Sequence, residues 1–338
     1  MTPLRIGIMG CASIALRKML PAMADLSGTE ITAIASRDVG KAGKAALAYG
    51  CRAVEGYPAL LDLDEVEAVY IPLPNAAHAD WIERALAAGK HVLAEKPLTT
   101  SVSRTCALLA AARSAGLVLM ENLMFLRHSQ HAAVRELFED GAIGELRAFH
   151  AAFAVPRRPA GDIRHSAELG GGALLDTGVY PVRAAMSFLG NDVDVVSAVL
   201  TRRHGQSVDS GGHALLCTTG GVGAHVAFGL DHAYRSGYEL WGSAGRIVLD
   251  QAFTPRADHV PVVRLERRSG VDEILLRADD QVANTLTAFA TAVRSGRLPD
   301  NDDVARQAVL VDDIRTKARL YLDHATEPVG SMPGGSLS

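Results

Sequence analysis

The chain has 338 residues, 48% hydrophobic and 21% charged, and carries a formal net charge of -4 at pH 7, the profile of a globular protein large enough for two cores. Its 34 basic residues are scattered among 38 acidic ones rather than gathered in a stripe, which excludes an electrostatic draw toward nucleic acid or an anionic membrane. No window approaches the ~18–20 apolar residues of a transmembrane helix, the start does not read as a signal peptide, and Cys11, Cys51, Cys106 and Cys217 share no close spacing; the expectation is a reduced, cytoplasmic protein without disulfide or zinc.

In chain order, the apolar run Leu4 to Met9 reads as a buried strand that breaks at Gly10, and a helical pattern runs from about Ser13 to Asp25. A strand at Glu30 to Ala35, a helix at Val39 to Tyr49 and a short strand at Cys51 to Val54 follow. Ala68 to Ile71 is a strand ended by Pro72 and Pro74. A helix covers Asn75 to Ala88, stopped by Gly89. His91 to Ala94 is a strand, Ser101 to Ala115 a helix and Leu117 to Met120 a strand. Repeated β-α units of this length imply a doubly wound parallel sheet of Rossmann type in residues 1–122.

The pattern then changes. After a helix at Ser129 to Asp140, strands are expected at Leu146 to Val155, Val193 to Thr201, His213 to Thr219, Val222 to Leu230, Tyr238 to Trp241, Arg246 to Leu249, Val262 to Arg267 and Glu273 to Arg277. Glycine-containing turns link several of them. One helix, Gly172 to Leu189, interrupts this block, and helices at Gln281 to Ser295 and Asp302 to Leu322 close it. Residues 123–325 therefore read as an α+β domain with a largely antiparallel open sheet. Residues 326–338, with Pro, Gly and Ser, read as a disordered tail.

Five places carry chemistry. A strand delivered into the turn Gly10-Cys11-Ala12-Ser13-Ile14, which opens a helix, is suited to a dinucleotide pyrophosphate held on backbone N–H groups. Against the pattern G-x-G-x-x-G/A, Gly10 and Ala15 fit and Ala12 replaces the middle glycine; an ordinary strand–turn–helix is the competing reading. Pro72, Leu73, Asn75 and His78 follow the fourth parallel strand, on the same edge, with Asn75 equally suited to N-capping its helix. At the end of the second strand, Ser36-Arg37 stands where an NAD-preferring domain usually has an acid, so a 2′-phosphate is attracted and NADP is expected; the alternative is that Asp38 takes the ribose.

Glu95-Lys96-Pro97 lies just past another parallel strand, and Lys96 is one of only six lysines, a compact cation suited to polarising a carbonyl. Asp176 and Tyr180, four apart, share a helix face after Gly170-Gly171-Gly172, and a nearby ammonium would lower the phenol's pKa. The triple glycine suits a flexible turn or a close approach to a ligand. His128 and His131 lack a third partner of matching spacing, so no metal site is expected.

Together, G-I-M-G-C-A-S-I-A, E-K-P and G-G-G-A-L-L-D-T-G-V-Y, in this order, resemble the glucose–fructose oxidoreductase / inositol dehydrogenase / rhizopine-catabolism (Gfo/Idh/MocA) family over Arg5 to about Tyr321. The resemblance implies that the first motif binds the pyrophosphate and that the E-K-P lysine sits beside the nicotinamide ribose. It further implies that the last motif supplies the proton-transfer residue, here Tyr180 in place of the family's histidine. The stretches Met120 to His131, Gly161 to Arg164 and Leu175 to Ala185 are similar to the nucleoside-diphosphate-sugar 3-ketoreductases, which reduce the C3 ketone of a dTDP-linked 4-keto-2,6-dideoxyhexose with NADPH. Tyr180 would donate the proton, Lys96 would stabilise the alkoxide and lower the phenol's pKa, and Asp176 would orient Lys96 or hydrogen-bond the substrate. Arg157, Arg158, Arg164 and Arg183 are candidates for the diphosphate, and Tyr234, His232 and Trp241 for stacking. An NADP-dependent dehydrogenase of a free sugar, inositol or trans-dihydrodiol, and a non-catalytic NADP-binding regulator, are the alternatives. A homodimer or homotetramer is expected, because antiparallel sheets in this family commonly pair face to face.

Overall fold

The computed structural model of the chain describes residues 2–323, so the expected tail lies outside the described residues. The first sheet holds β1 (Leu4–Met9), β2 (Thr29–Ser36), β3 (Arg52–Glu55), β4 (Ala68–Ile71), β5 (His91–Glu95) and β6 (Leu119–Asn122). All pairings are parallel, in the order β3-β2-β1-β4-β5-β6. The order reverses between β1 and β4, which opens a crevice beyond their carboxyl ends. Strands covered on both faces need apolar residues throughout, and every residue of β4 is buried.

Caps set several helix starts. The Asp38 carboxylate accepts the Lys41 amide at 3.2 Å to open the helix Val39–Tyr49, and Asp280 accepts those of Val282 and Ala283 to open Gln281–Ser295. Although this second helix follows every strand of the first sheet in sequence, it packs against that sheet. Val282, Leu286, Phe289 and Ala290 share a core with Leu4, Ile6, Ile8 and Tyr70.

The second sheet holds β7 (Leu146–Ala154), β8 (Val193–Arg203), β9 (Gly211–Thr218), β10 (Gly223–Gly229), β11 (Arg235–Gly242), β12 (Gly245–Asp250), β13 (Val262–Arg267), β14 (Gly270–Leu275) and β15 (Ala318–Asp323). They run in the order β14-β13-β12-β11-β7-β10-β9-β8-β15. Two neighbouring pairs, β7 with β10 and β8 with β15, are parallel and the rest antiparallel. The helix Val179–Leu189 covers the inner face, where Phe149, Phe153, Val226, Phe228, Tyr238 and Leu240 are buried.

The fold class is therefore the one expected, with local departures. The last helix stops at Lys317, and Ala318–Asp323 is an edge strand rather than a continuation of the helix. Its alternating A-R-L-Y-L-D pairs with β8, a partner far away in sequence. A short helix at Tyr57–Leu61 carries Pro58 at its second position, and it is too brief to show a period. Strand β6 lies two residues later than expected, which puts Glu121 and Asn122 inside the sheet. Among the described residues no helix is long and apolar enough to cross a membrane.

Candidate active site

The turn after β1 has the geometry that the first motif requires. Gly10 has φ of +114°, and a Cβ there would lie 3.1 Å from Leu73 Cδ2, so only glycine keeps both the conformation and the close approach of the two loops. Cys11, Ala12 and Ile14 are half-buried and Ser13 is exposed at the helix start. Ser36 ends β2 with its hydroxyl accepting the Asp38 amide at 3.1 Å, while Arg37 is exposed. Because Asp38 caps its helix, the carboxylate alternative for the ribose is already engaged. The residues thus fit a dinucleotide bearing a 2′-phosphate: a glycine cradle, open N–H groups and an exposed guanidinium.

Two expectations on this edge are corrected. His78 does not face the crevice: it is fully buried, with Nδ1 2.9 Å from the Pro97 carbonyl oxygen and Nε2 2.8 Å from that of Leu73. It staples together the loops that follow β4 and β5, and burial pushes its pKa down. Asn75 does not cap its helix, where Pro74 holds the N-cap place; its amide donates to the Gly170 carbonyl at 2.8 Å. Pro72 leads into Leu73, whose side chain forms the wall opposite Gly10.

That Asn75 contact joins the two halves of the chain. The Ala76 amide also donates to the Leu169 carbonyl at 3.2 Å. The triple glycine is a close approach, but to protein: a Cβ at Gly171 would lie 2.4 Å from the Arg164 carbonyl oxygen, and one at Gly172 2.3 Å from Asp209 Oδ1. Asp209 accepts the Leu174 amide at 2.7 Å, fixing the start of the helical segment that carries Asp176 and Tyr180.

The catalytic candidates converge across this junction. Lys96, joined to Pro97 by a cis peptide, donates from Nζ to the Asp176 carboxylate at 3.0 Å and to its carbonyl oxygen at 2.8 Å. Nζ lies 5.4 Å from the centre of the Tyr180 ring. Burial pulls the Lys96 pKa down, but Asp176, Tyr180 and Glu95 outweigh it and hold the ammonium above its usual value. Asp176 is squeezed the opposite way: burial raises it, and Lys96 and Arg164 bring it down to about 2. Glu95 turns inward, accepting from Tyr70 Oη at 2.6 Å and Asn122 Nδ2 at 2.7 Å.

Tyr180 sits in an aromatic box of Phe125, Phe153 and Phe253, with ring centres 5.8, 4.8 and 5.7 Å away. Among the described residues its hydroxyl has no hydrogen-bond partner, although the side chain is only 7% exposed. Here the expectation from sequence reverses. Burial, aided by Glu95 and Asp176, pushes the phenol's pKa up to about 12, against the downward pull of Lys96. The proton therefore stays on the oxygen at neutral pH. Turnover of a carbonyl reduction at saturating substrates should show no falling limb from phenol ionisation up to about pH 10, where an unshifted phenol of pKa about 10 would be half ionised. A steady-state profile from about pH 6 to about pH 10.5 checks this.

The arginines separate by geometry. Arg164 is committed to carboxylates, its Nε donating to Asp176 at 2.7 Å and its Nη1 to Asp162 at 3.0 Å; it buttresses Asp176. Arg183 is buried against Glu121, with both side chains 4% exposed, so a free diphosphate cation is not what this position provides. Arg157 and Arg158 are exposed on the loop after β7, and among the described residues neither has a carboxylate within 4 Å. Tyr234 is half-exposed, its ring 6.5 Å from Phe153, at the rim of the aromatic box. Trp241 is corrected: it alternates with the buried Tyr238 and Leu240 and faces away from Tyr180, on the outer side of the sheet. The His232 ring packs over Gly229 and Gly211. His128 accepts the Gln130 amide as an N-cap, and His131 bonds Tyr238 Oη at 2.8 Å. The roles of Glu121 and Asp209 as anchors carry no sequence signal, because each acts through a partner distant in the chain.

Comparison with known proteins agrees with this architecture. Residues 4–123 match the Gfo/Idh/MocA oxidoreductase model with its NAD-binding Rossmann fold, and residues 131–248 match a C-terminal domain model of the same family. The chain belongs to the Gfo/Idh/MocA family. It is 52% identical over 319 residues to a dTDP-3,4-didehydro-2,6-dideoxy-α-D-glucose 3-reductase of Actinomadura kijaniata, covering 94% of this chain and 96% of that protein. It is also 52% identical over 328 residues to a 3-reductase of the same name from Streptomyces violaceoruber, covering 94% and 96%. A crystal structure of a 3-ketoreductase from Actinomadura kijaniata in complex with NADP and TDP-benzene superposes with a TM-score of 0.93 at 51% identity, covering 95% of this chain and 99% of that one.

Proposed function

We propose that this protein reduces the C3 ketone of a dTDP-linked 4-keto-2,6-dideoxyhexose with NADPH, as a sugar 3-ketoreductase of deoxysugar biosynthesis. The observation that carries the reading is the meeting of Lys96 and Tyr180 across the crevice, in a chain half identical over nearly its whole length to reductases so named. Residues 1–122, with the helix Gln281–Ser295 packed against their sheet, take the cofactor, and the rest of residues 123–325 the substrate.

Bound NADPH supplies the hydride. The chain's part is to hold it by the Gly10 turn and Arg37, and to manage charge at the ketone oxygen. As negative charge develops there, the Lys96 ammonium stabilises it and Tyr180 Oη gives it a proton. The same ammonium then stabilises the phenolate left behind, which takes its proton back from solvent. Asp176, braced by Arg164, keeps Lys96 charged and aimed. Arg157 and Arg158 are the remaining cations for the diphosphate, and Tyr234 for stacking at the rim.

The direct test is NADPH oxidation, followed by the loss of reduced-nicotinamide absorbance, with a dTDP-linked 3,4-diketo-2,6-dideoxyhexose. Turnover with free sugars and none with the nucleotide sugar would overturn the substrate. For the cofactor, Arg37→Ala should raise the KM for NADPH about 10–100-fold, the worth of one charge-assisted contact of ~1.5–3 kcal/mol, and leave that for NADH nearly unchanged. The outer face of the second sheet, with Trp241 54% exposed, is the surface assigned to pairing with a second copy. Sedimentation equilibrium distinguishes dimer from tetramer.

A further inference from the structure

We propose that Glu121 is a positioning residue, a latch that fixes the Lys96 segment against the Tyr180 helix. The proposal rests on the reductase reading of the site. Glu121 stands on β6, in neither of the motifs that carry the chemistry. Its Oε1 accepts the amide of Leu98, two residues past Lys96, at 2.9 Å. Its Oε2 accepts Arg183 Nη2 at 3.0 Å, and Arg183 lies three residues past Tyr180 on the same helix, on a neighbouring position of one face. One carboxylate therefore anchors both candidate catalytic segments, which come from opposite halves of the chain.

Stability alone is a poor account of this pair. Both side chains are 4% exposed, and the cost of desolvating two charges offsets much of their attraction, so apolar residues of similar size often serve stability as well or better. What the pair adds is a fixed distance. Among the described residues the other hydrogen-bonded tie between these segments runs through the Lys96 ammonium to Asp176, and that ammonium must also attend the substrate oxygen. The Glu121 latch uses no reacting group, so it holds the spacing of Lys96 and Tyr180 unchanged while Lys96 works. A displacement of about 1 Å in such a constellation costs up to about 100-fold in rate.

The test replaces the pair together, as E121M/R183M, so that no charge is left stranded, and measures melting temperature, kcat, the KM for NADPH and amide hydrogen exchange at Leu98. The control is R294M, which removes an ion pair to Glu67 at the opposite end of the first sheet and should lower stability while sparing kcat. The latch predicts a melting temperature near that of the wild type, kcat lowered about 10–100-fold, NADPH KM changed less than about threefold, and faster exchange at Leu98. A folded double variant with kcat within about twofold of the wild type, or with Leu98 still protected, overturns it. If the double variant does not fold, R183K shortens the reach to Glu121 while keeping the charge: lowered kcat at an unchanged melting temperature supports the latch, and unchanged kcat overturns it. Wild-type protein inactive on dTDP-ketosugars would sink the functional reading alone, because exchange at Leu98 reads the latch without substrate.

Discussion

Lys96→Met should lower kcat for NADPH-dependent ketone reduction by about 10³-fold while leaving the NADPH dissociation constant within severalfold. An ammonium aimed at a developing oxyanion in a dry site contributes through the transition state more than the ground state, and removing one such group typically costs about 10²–10³ in turnover. The upper end applies because Lys96 has two tasks: it faces the developing alkoxide and is the nearest cation to the Tyr180 phenol. Methionine keeps the stem's volume, so the loss isolates the charge. Asp176 and Arg164 remain as a pair in the variant, so no buried carboxylate is left without a partner. Single-turnover measurement separates the chemical step from cofactor binding. Turnover near that of the wild type would remove Lys96 from the mechanism.

Tyr180→Phe should lower kcat by about 10²–10⁴-fold, the usual range for a positioned general acid. The phenylalanine keeps the packing against Phe125, Phe153 and Phe253, and because the hydroxyl has no partner among the described residues its removal breaks no internal hydrogen bond. Melting temperature should therefore stay within a degree or two of the wild type (about 0.5 kcal/mol or less) while turnover collapses. A solvent isotope effect that is present in the wild type and changed in the variant would tie the loss to proton transfer. Unimpaired turnover would move the proton donor elsewhere, to water or to Lys96.

Much of this is legible in the sequence wherever function sits on local pattern. The β-α alternation encodes the parallel sheet, Gly10 the tight turn after β1, and the E-K-P and D-x-x-x-Y spacings the two segments that meet. Relations between distant residues are what escape it. His78 follows the fourth strand as a cofactor contact would, but whether its ring points to the crevice or into the loop after Lys96 depends on Pro97 being near, which no spacing encodes. Arg183 looks like one more arginine until Glu121 is found opposite it. The direction of the Tyr180 shift is hidden for a similar reason: a neighbouring cation can be read from a motif, whereas burial among three phenylalanines from separate elements cannot. Ala318–Asp323 is a strand because β8 offers it an edge, overriding a local pattern that continues the helix.

The helix Gln281–Ser295 has a consequence for how the protein is made. It supplies Leu286 and Phe289 to the core under β1, yet it leaves the ribosome more than 150 residues after the last strand of the first sheet. The nascent amino-terminal half must therefore wait, with the core around Met19, Leu20 and Met23 still lacking this helix, while the whole block from β7 to β14 is synthesised. A fragment cut after β6 would lack the Leu286 and Phe289 side chains that complete this core, and expressed alone it should aggregate more readily than the full chain unless the late helix is supplied. Assembly of the first core is thus completed from the far end of the chain, after the segment that carries Tyr180 has been made.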